Sequence, residues 1–159
     1  ATSLCAVDEQ GPWVAVVADL VSGIRYDAMR GWGARKNGEE IERETCPSLN
    51  DSLVAVSGLP EKDMGWDQFR NLGSAALALC SIADGQLDAF VDCTPDAHGV
   101  WDYLGGMLIC QEAGGVVYEV KDRDLCVMNR DERRTPLAAA GRKLGEELLS
   151  IRQTFEVDK

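Results

Sequence analysis

The stretch "HGVWDYLGGMLICQEAGG", His98 to Gly115, sets a Trp-Asp pair just ahead of two adjacent glycines in an otherwise apolar run. Asp102 falls at or near the N-cap of a predicted helix. There its carboxylate can accept from free backbone N–H groups, worth about 1 kcal/mol. A carboxylate held rigidly beside the bulky Trp101 and a glycine-lined surface also suits a hard divalent cation. Gly105 and Gly106 each cost about 1 kcal/mol against Ala in a helix, so some neighbour must approach the backbone closely there.

His98 is the only histidine. It reads as a loop residue at the rim of this site, with acid–base duty as the sharper alternative. Asp96 and Glu112 are acidic neighbours, read as solvated or as packing the helix end. Trp13, Trp32 and Trp66 read as packing residues. The six cysteines show no CxxC spacing, and Cys80 and Cys110 lie in apolar helical runs, where cysteine behaves as a small hydrophobe. All six are expected to be reduced thiols of a cytoplasmic protein.

The elements that must position these residues follow from patterning. With 159 residues, 45% of them hydrophobic, the chain suits one compact domain or two small ones sharing a core. Net charge is −11 and the pI about 4.5, with no basic stripe, which argues against nucleic acid or an anionic membrane as partner. No apolar run approaches the ~18–20 residues of a membrane span. The opening "ATSLCAVDEQG" lacks the basic and apolar regions of a signal peptide and reads as a strand entered midway.

"WVAVVAD" (13–19) is predicted as a strand buried on both faces, and "GIRYDAM" as a second strand. Asn37-Gly38 marks a tight hairpin. "SLVAVSG" (52–58) is a short strand. "GSAALALCSIADG" (73–85) reads as a buried helix between a Ser74 N-cap and a C′ glycine, Gly85. "QLDAFVD" (86–92), "GVVYEV" and "TPLAAAG" (135–141) read as strands. "WDYLGGMLICQEAGG" is a helix closed at Gly114, and "GRKLGEELLSIRQ" a final amphipathic helix. The alternation argues for a layered α/β fold, although the strand-rich first half has almost no helix of its own to cover its sheet.

"LGSAALALCSIADGQLDAFVD…WDYLGGMLICQEAGGVV" closely resembles the C-terminal half of the inositol monophosphatase family of metal-dependent phosphatases. "GIRYDAMRGWGARKNGEEI" resembles the family's earlier strand pair, and "TPLAAAGRKL" its closing strand and helix. The resemblance implies alternating layers of sheets and helices. Residues 1–60 would be the remaining strands of the N-terminal subdomain, and 61–159 the C-terminal α/β subdomain. It implies a Mg²⁺-dependent hydrolase of a small phosphorylated polyol or sugar, inositol monophosphate first among them, acting as a cytoplasmic homodimer. Asp102 would be the catalytic metal ligand. Asp92 would contact substrate hydroxyls, with a shorter side chain than the family's Glu. Gly73, Ser74 and Ala75 would lie beside the substrate, with Arg70 preceding them.

The family's other metal-binding segments do not occur upstream. The strings Gly38-Glu39-Glu40 and Gly145-Glu146-Glu147 match the wrong places. One or two carboxylates cannot hold a pair of Mg²⁺ ions, so the sequence reads as part of a longer parent. A sugar or nucleotide bisphosphatase of the same superfamily is the alternative within the class, with the 93–99 loop expected to discriminate. An inert homologue serving as a binding or assembly module is the alternative outside it.

Overall fold

In the computed structural model, which describes residues 1–43 and 47–157, the first third of the chain is an antiparallel meander. β1 (Thr2–Asp8), β2 (Gly11–Ala18), β3 (Arg25–Met29), β4 (Ala34–Lys36) and β5 (Glu39–Glu40) pair in chain order. Asn37-Gly38 turns the last hairpin, as its sequence predicts. Alternation puts Ala15, Val17, Tyr26 and Ala28 on a buried inner face. β2 is thus buried on one face rather than two, because only that face of the sheet receives helices. On the other side Leu4 stays 66% exposed. Trp32, expected to pack, is 75% exposed on the turn before β4, and Trp13 is half exposed. Trp66 does pack against the core.

The second sheet has the order β7 (Gln68–Arg70), β6 (Leu53–Ser57), β8 (Ala89–Asp92), β10 (Pro136–Ala139), β9 (Val116–Glu119). β6 runs parallel to β7 and β8, whereas β10 is antiparallel to both neighbours. Both faces of this sheet are covered, so "AFVD" and "PLAA" are buried along their whole length. One face packs on Leu144, Leu148 and Phe155 of α3 (Arg142–Val157). The other packs on α1 (Ala75–Ala83) and α2 (Val100–Glu112) through Leu79, Ile82, Tyr103 and Met107.

The same two helices present Ala76, Cys80, Leu108 and Ile109 to the first sheet. The layers therefore run sheet, helix pair, sheet, helix. A division at residue 60 does not follow them: β6, before that point, is hydrogen-bonded into the second sheet, and the α1–α2 layer serves both sheets. The missing cover for the first half is supplied from the second half of the chain.

The two glycines of α2 explain how one helix fits between so many neighbours. A Cβ on Gly105 would stand 2.7 Å from Ser3 Oγ of β1, and one on Gly106 2.8 Å from both the Ala76 carbonyl oxygen and Leu79 Cβ of α1. What approaches the backbone is the protein's own packing. Gly85 and Gly114 close α1 and α2 with φ of +80° and +90°, a region costly for other residues. Cys5, Cys80, Cys93, Cys110 and Cys126 carry free thiols, and Cys46 lies outside the described residues. Burial pushes Cys93 up to about 11 and Cys110 up to about 12, which suits inert packing groups. Among the described residues no helix is long and apolar enough to cross a membrane.

Candidate active site

β6 and β8 run parallel and end together, with Ser57 in register with Asp92. The crevice beyond the carboxyl ends of parallel strands is the usual ligand position in α/β sheets. A cavity of about 670 Å³ opens here. Its walls are Ser57, the 71–76 segment that opens α1, Ala97 and His98 of the preceding loop, and Trp101 and Asp102 of α2. The N-termini of both helices thus border one space, and their free N–H groups favour an anion.

Ser74 caps α1, its Oγ accepting from the Leu77 N–H at 3.3 Å. Gly73, Ser74 and Ala75 all line the cavity. Asp102 lines it too, but as the third residue of α2 rather than its cap. Its Oδ2 accepts from the Gly99 N–H at 2.9 Å, and its own N–H donates to the Gly99 carbonyl at 2.9 Å. Capping engages one carboxylate oxygen and leaves Oδ1 for a ligand.

Asp92 stands elsewhere than expected. Its side chain is fully buried, and it is not part of the cavity wall. Oδ1 accepts from the Thr94 N–H at 3.0 Å, and Oδ2 is 2.7 Å from His98 Nδ1. The short Asp ends below the loop that folds over it, so His98 rather than Asp92 reaches the cavity. Burial disfavours the imidazolium, but the Asp92 hydrogen bond and the charges of Asp92 and Asp102 outweigh it and raise the His98 pKa.

The 93–99 loop is firmly seated. His98 exchanges backbone hydrogen bonds with Arg134 at 3.2 and 2.9 Å. Asp96, read from sequence as solvated, binds Lys121 at 2.7 Å and Arg123 at 2.5 Å, and its N–H donates to Thr135 Oγ1 at 2.8 Å. Glu112, at the far end of α2, accepts from the Gly31 and Gly33 N–H groups, each at 2.9 Å. That clamps the β3–β4 turn to the helix.

Arg70 is not brought into the site. It ends β7 exposed, its guanidinium donating to the Phe69 carbonyl and Gln68 Oε1, each at 2.8 Å. The strands' order explains this: β7 is an edge strand and its last residue lies outside the wall. Neither Gly-Glu-Glu string borders the cavity. Ser57 and Asn71, which do, carry no sequence signal beyond their places at a strand end and before a helix. Among the described residues the cavity wall holds no Lys or Arg, and Asp102 is its single carboxylate. No group of three or more His, Cys, Asp or Glu side chains suited to a metal occurs among the described residues. Asp102 fits as one oxygen ligand of Mg²⁺, and the described residues do not complete the near-octahedral set.

The two-sheet, three-helix layering, with Asp102 and the N-termini of two helices at a strand-end cavity, defines the chain as a layered α/β protein. The inositol monophosphatase family profile matches residues 1–155, and the chain belongs to that family. It is 34% identical over 137 residues to the fructose-1,6-bisphosphatase/inositol-1-monophosphatase of Archaeoglobus fulgidus, covering 85% of this chain and 53% of that one. It is 33% identical over 119 residues to the Nus factor SuhB of Escherichia coli K12, covering 65% and 43%. Protein PH1897 from Pyrococcus horikoshii, described as similar to inositol-1 monophosphatase, superposes with a TM-score of 0.81 at 25% identity over 93% of this chain and 60% of that one. The chain thus spans about half the length of the curated relatives it matches.

Proposed function

We propose that the chain is the substrate-side portion of a Mg²⁺-dependent phosphomonoester hydrolase acting on inositol monophosphate or a similar small sugar or polyol phosphate. The observation that carries this is the meeting of Asp102 with Gly73, Ser74 and Ala75 in one cavity, at the N-termini of α2 and α1. When bound, Mg²⁺ polarises the phosphoryl group and activates a water molecule. Asp102 supplies one carboxylate oxygen for it, held in place by the Gly99 N–H. The free N–H groups of the first turn of α1 offer hydrogen bonds to a phosphate oxygen. The proposal requires further metal ligands from outside the described cavity wall.

The test is phosphate release from inositol monophosphate, fructose 1,6-bisphosphate and a nucleotide bisphosphate, with and without Mg²⁺. Mg²⁺-dependent release that Asp102→Asn abolishes supports the reading, and the preferred substrate sorts the alternatives. The relative named as a fructose-1,6-bisphosphatase favours including the sugar bisphosphate. A second reading, a catalytically inert module for binding or assembly, draws on the single carboxylate in the cavity and on a relative named for a Nus factor role. It predicts no Mg²⁺-dependent release and indifference to Asp102→Asn. The proposal extends to a cytoplasmic homodimer, in keeping with the free thiols of the described cysteines, and sedimentation checks the dimer.

A further inference from the structure

We infer that His98, held by Asp92, is the group that recognises a hydroxyl on the carbon skeleton of the ligand. This rests on the proposed reading of the cavity as a site for a phosphorylated polyol. Asp92 is fully buried and acts only as an acceptor when ionised, so at 2.7 Å it fixes the proton on His98 Nδ1. No described residue is hydrogen-bonded to Nε2, and His98 borders the cavity with 13% of its side chain exposed. The paired backbone bonds to Arg134 and the edge-on contact with the Phe90 ring, 6.0 Å between centroids, hold the imidazole in one orientation.

The charge of this pair selects its ligand. With an ionised Asp92 the pair carries a net charge of zero when the ring is protonated and −1 when it is neutral, which makes it a poor partner for a phosphate dianion. A neutral hydroxyl is suited to it in both states: Nε2 accepts from the hydroxyl when neutral and donates to it when protonated. The surrounding wall, Ala97, Phe90 and Trp101, is apolar and matches the C–H face of a sugar or cyclitol ring. The phosphate end belongs instead to the N-terminus of α1 and the Asp102 side of the cavity.

Because the chain has a single histidine, a long-range ¹H–¹⁵N spectrum of the uniformly labelled full chain shows one set of ring signals. myo-Inositol 1-phosphate is expected to shift the Nε2 resonance on saturation, whereas phenyl phosphate, which carries no alcohol hydroxyl, leaves it in place. His98→Gln is expected to weaken inositol phosphate binding about tenfold, followed at the Ser74 amide, while phenyl phosphate binding changes less than about twofold. An equal response to both ligands, or none to either, overturns the inference. Mg²⁺-dependent phosphate release with a silent Nε2 removes this inference alone. A responsive Nε2 without such release removes the hydrolase reading and leaves hydroxyl recognition standing.

Discussion

Gly106 of α2 faces Ala76 of α1 at a distance that leaves no room for a methyl group: a Cβ would stand 2.8 Å from the Ala76 carbonyl oxygen. Helix propensity favours Ala over Gly by about 1 kcal/mol. Overpacking against a backbone atom, which cannot rotate away, costs about 1–3 kcal/mol. Gly106→Ala is therefore expected to lower stability by a net 1 kcal/mol or so, despite its better propensity. Urea unfolding midpoints check the sign.

Glu112 receives two backbone N–H groups on its two carboxylate oxygens. In Glu112→Gln one acceptor becomes an NH₂ donor facing an N–H, so at least one of the bonds is lost. The expected destabilisation is about 2 kcal/mol, given the strength of hydrogen bonds to charged acceptors. Faster amide exchange at Gly31 and Gly33, measured by NMR, localises the loss to the β3–β4 turn.

The stabilising role of Asp102 and its proposed ligand role can be separated by two substitutions. Asp102→Asn keeps a side-chain oxygen for the Gly99 N–H and is expected to hold stability within about 0.5 kcal/mol of the unaltered chain. Asp102→Ala removes the acceptor and is expected to cost about 1 kcal/mol. Both substitutions remove the anionic oxygen available to a cation. Thermal unfolding in Mg²⁺-free buffer reads the first effect without the second.

The His98–Asp92 pair makes stability depend on pH. Burial opposes the charged ring, but Asp92 and Asp102 raise its pKa above the ordinary imidazole value. A raised folded-state pKa means that the folded chain holds the proton more tightly than the unfolded one. Its contribution is complete below about pH 6.5, the unfolded value, and is lost as pH rises through the folded value. The stability difference between the unaltered chain and His98→Gln should be larger near pH 6 than near pH 9. Denaturant titrations at the two pH values measure it, and a difference that grows with pH contradicts the assignment.

The fold was largely legible because periodicity and turn chemistry are local. Ser74, Gly85, Gly114 and Asn37-Gly38 each fix an element boundary through their own backbone or side-chain preferences. The burial of β2 on a single face was not legible, since an apolar run records hydrophobicity and not which layers cover it. The exposure of Trp32 was hidden for the same reason. In the candidate site, the helix starts near Ser74 and Asp102 are displayed by the sequence, and the grouping of Gly73, Ser74, Ala75 and Asp102 in one site was what the family resemblance implied. His98 borders the cavity, where it reads as a rim residue, whereas Asp92 lies outside the wall because their relation depends on how the 93–99 loop closes. That closure is set by Asp96 against Lys121 and Arg123, and by the backbone of Arg134, all distant in sequence. Arg70 lies outside the wall because edge position in a sheet is a property of strand order.

The first turn of α2 brings Asp102 to the cavity, and the helix ends on the β3–β4 turn with Glu112, ten residues and about 15 Å further along the axis. The helix is stiff over that span, so it works as a lever whose far end is fixed by two hydrogen bonds. A tilt of about 4° at the Glu112 end carries the carboxylate at the other end sideways by about 1 Å. A displacement of that size is enough to cost about a hundredfold in a rate that depends on alignment. The turn before β4, which lies outside the cavity wall, is therefore part of what would aim Asp102 at a bound ligand.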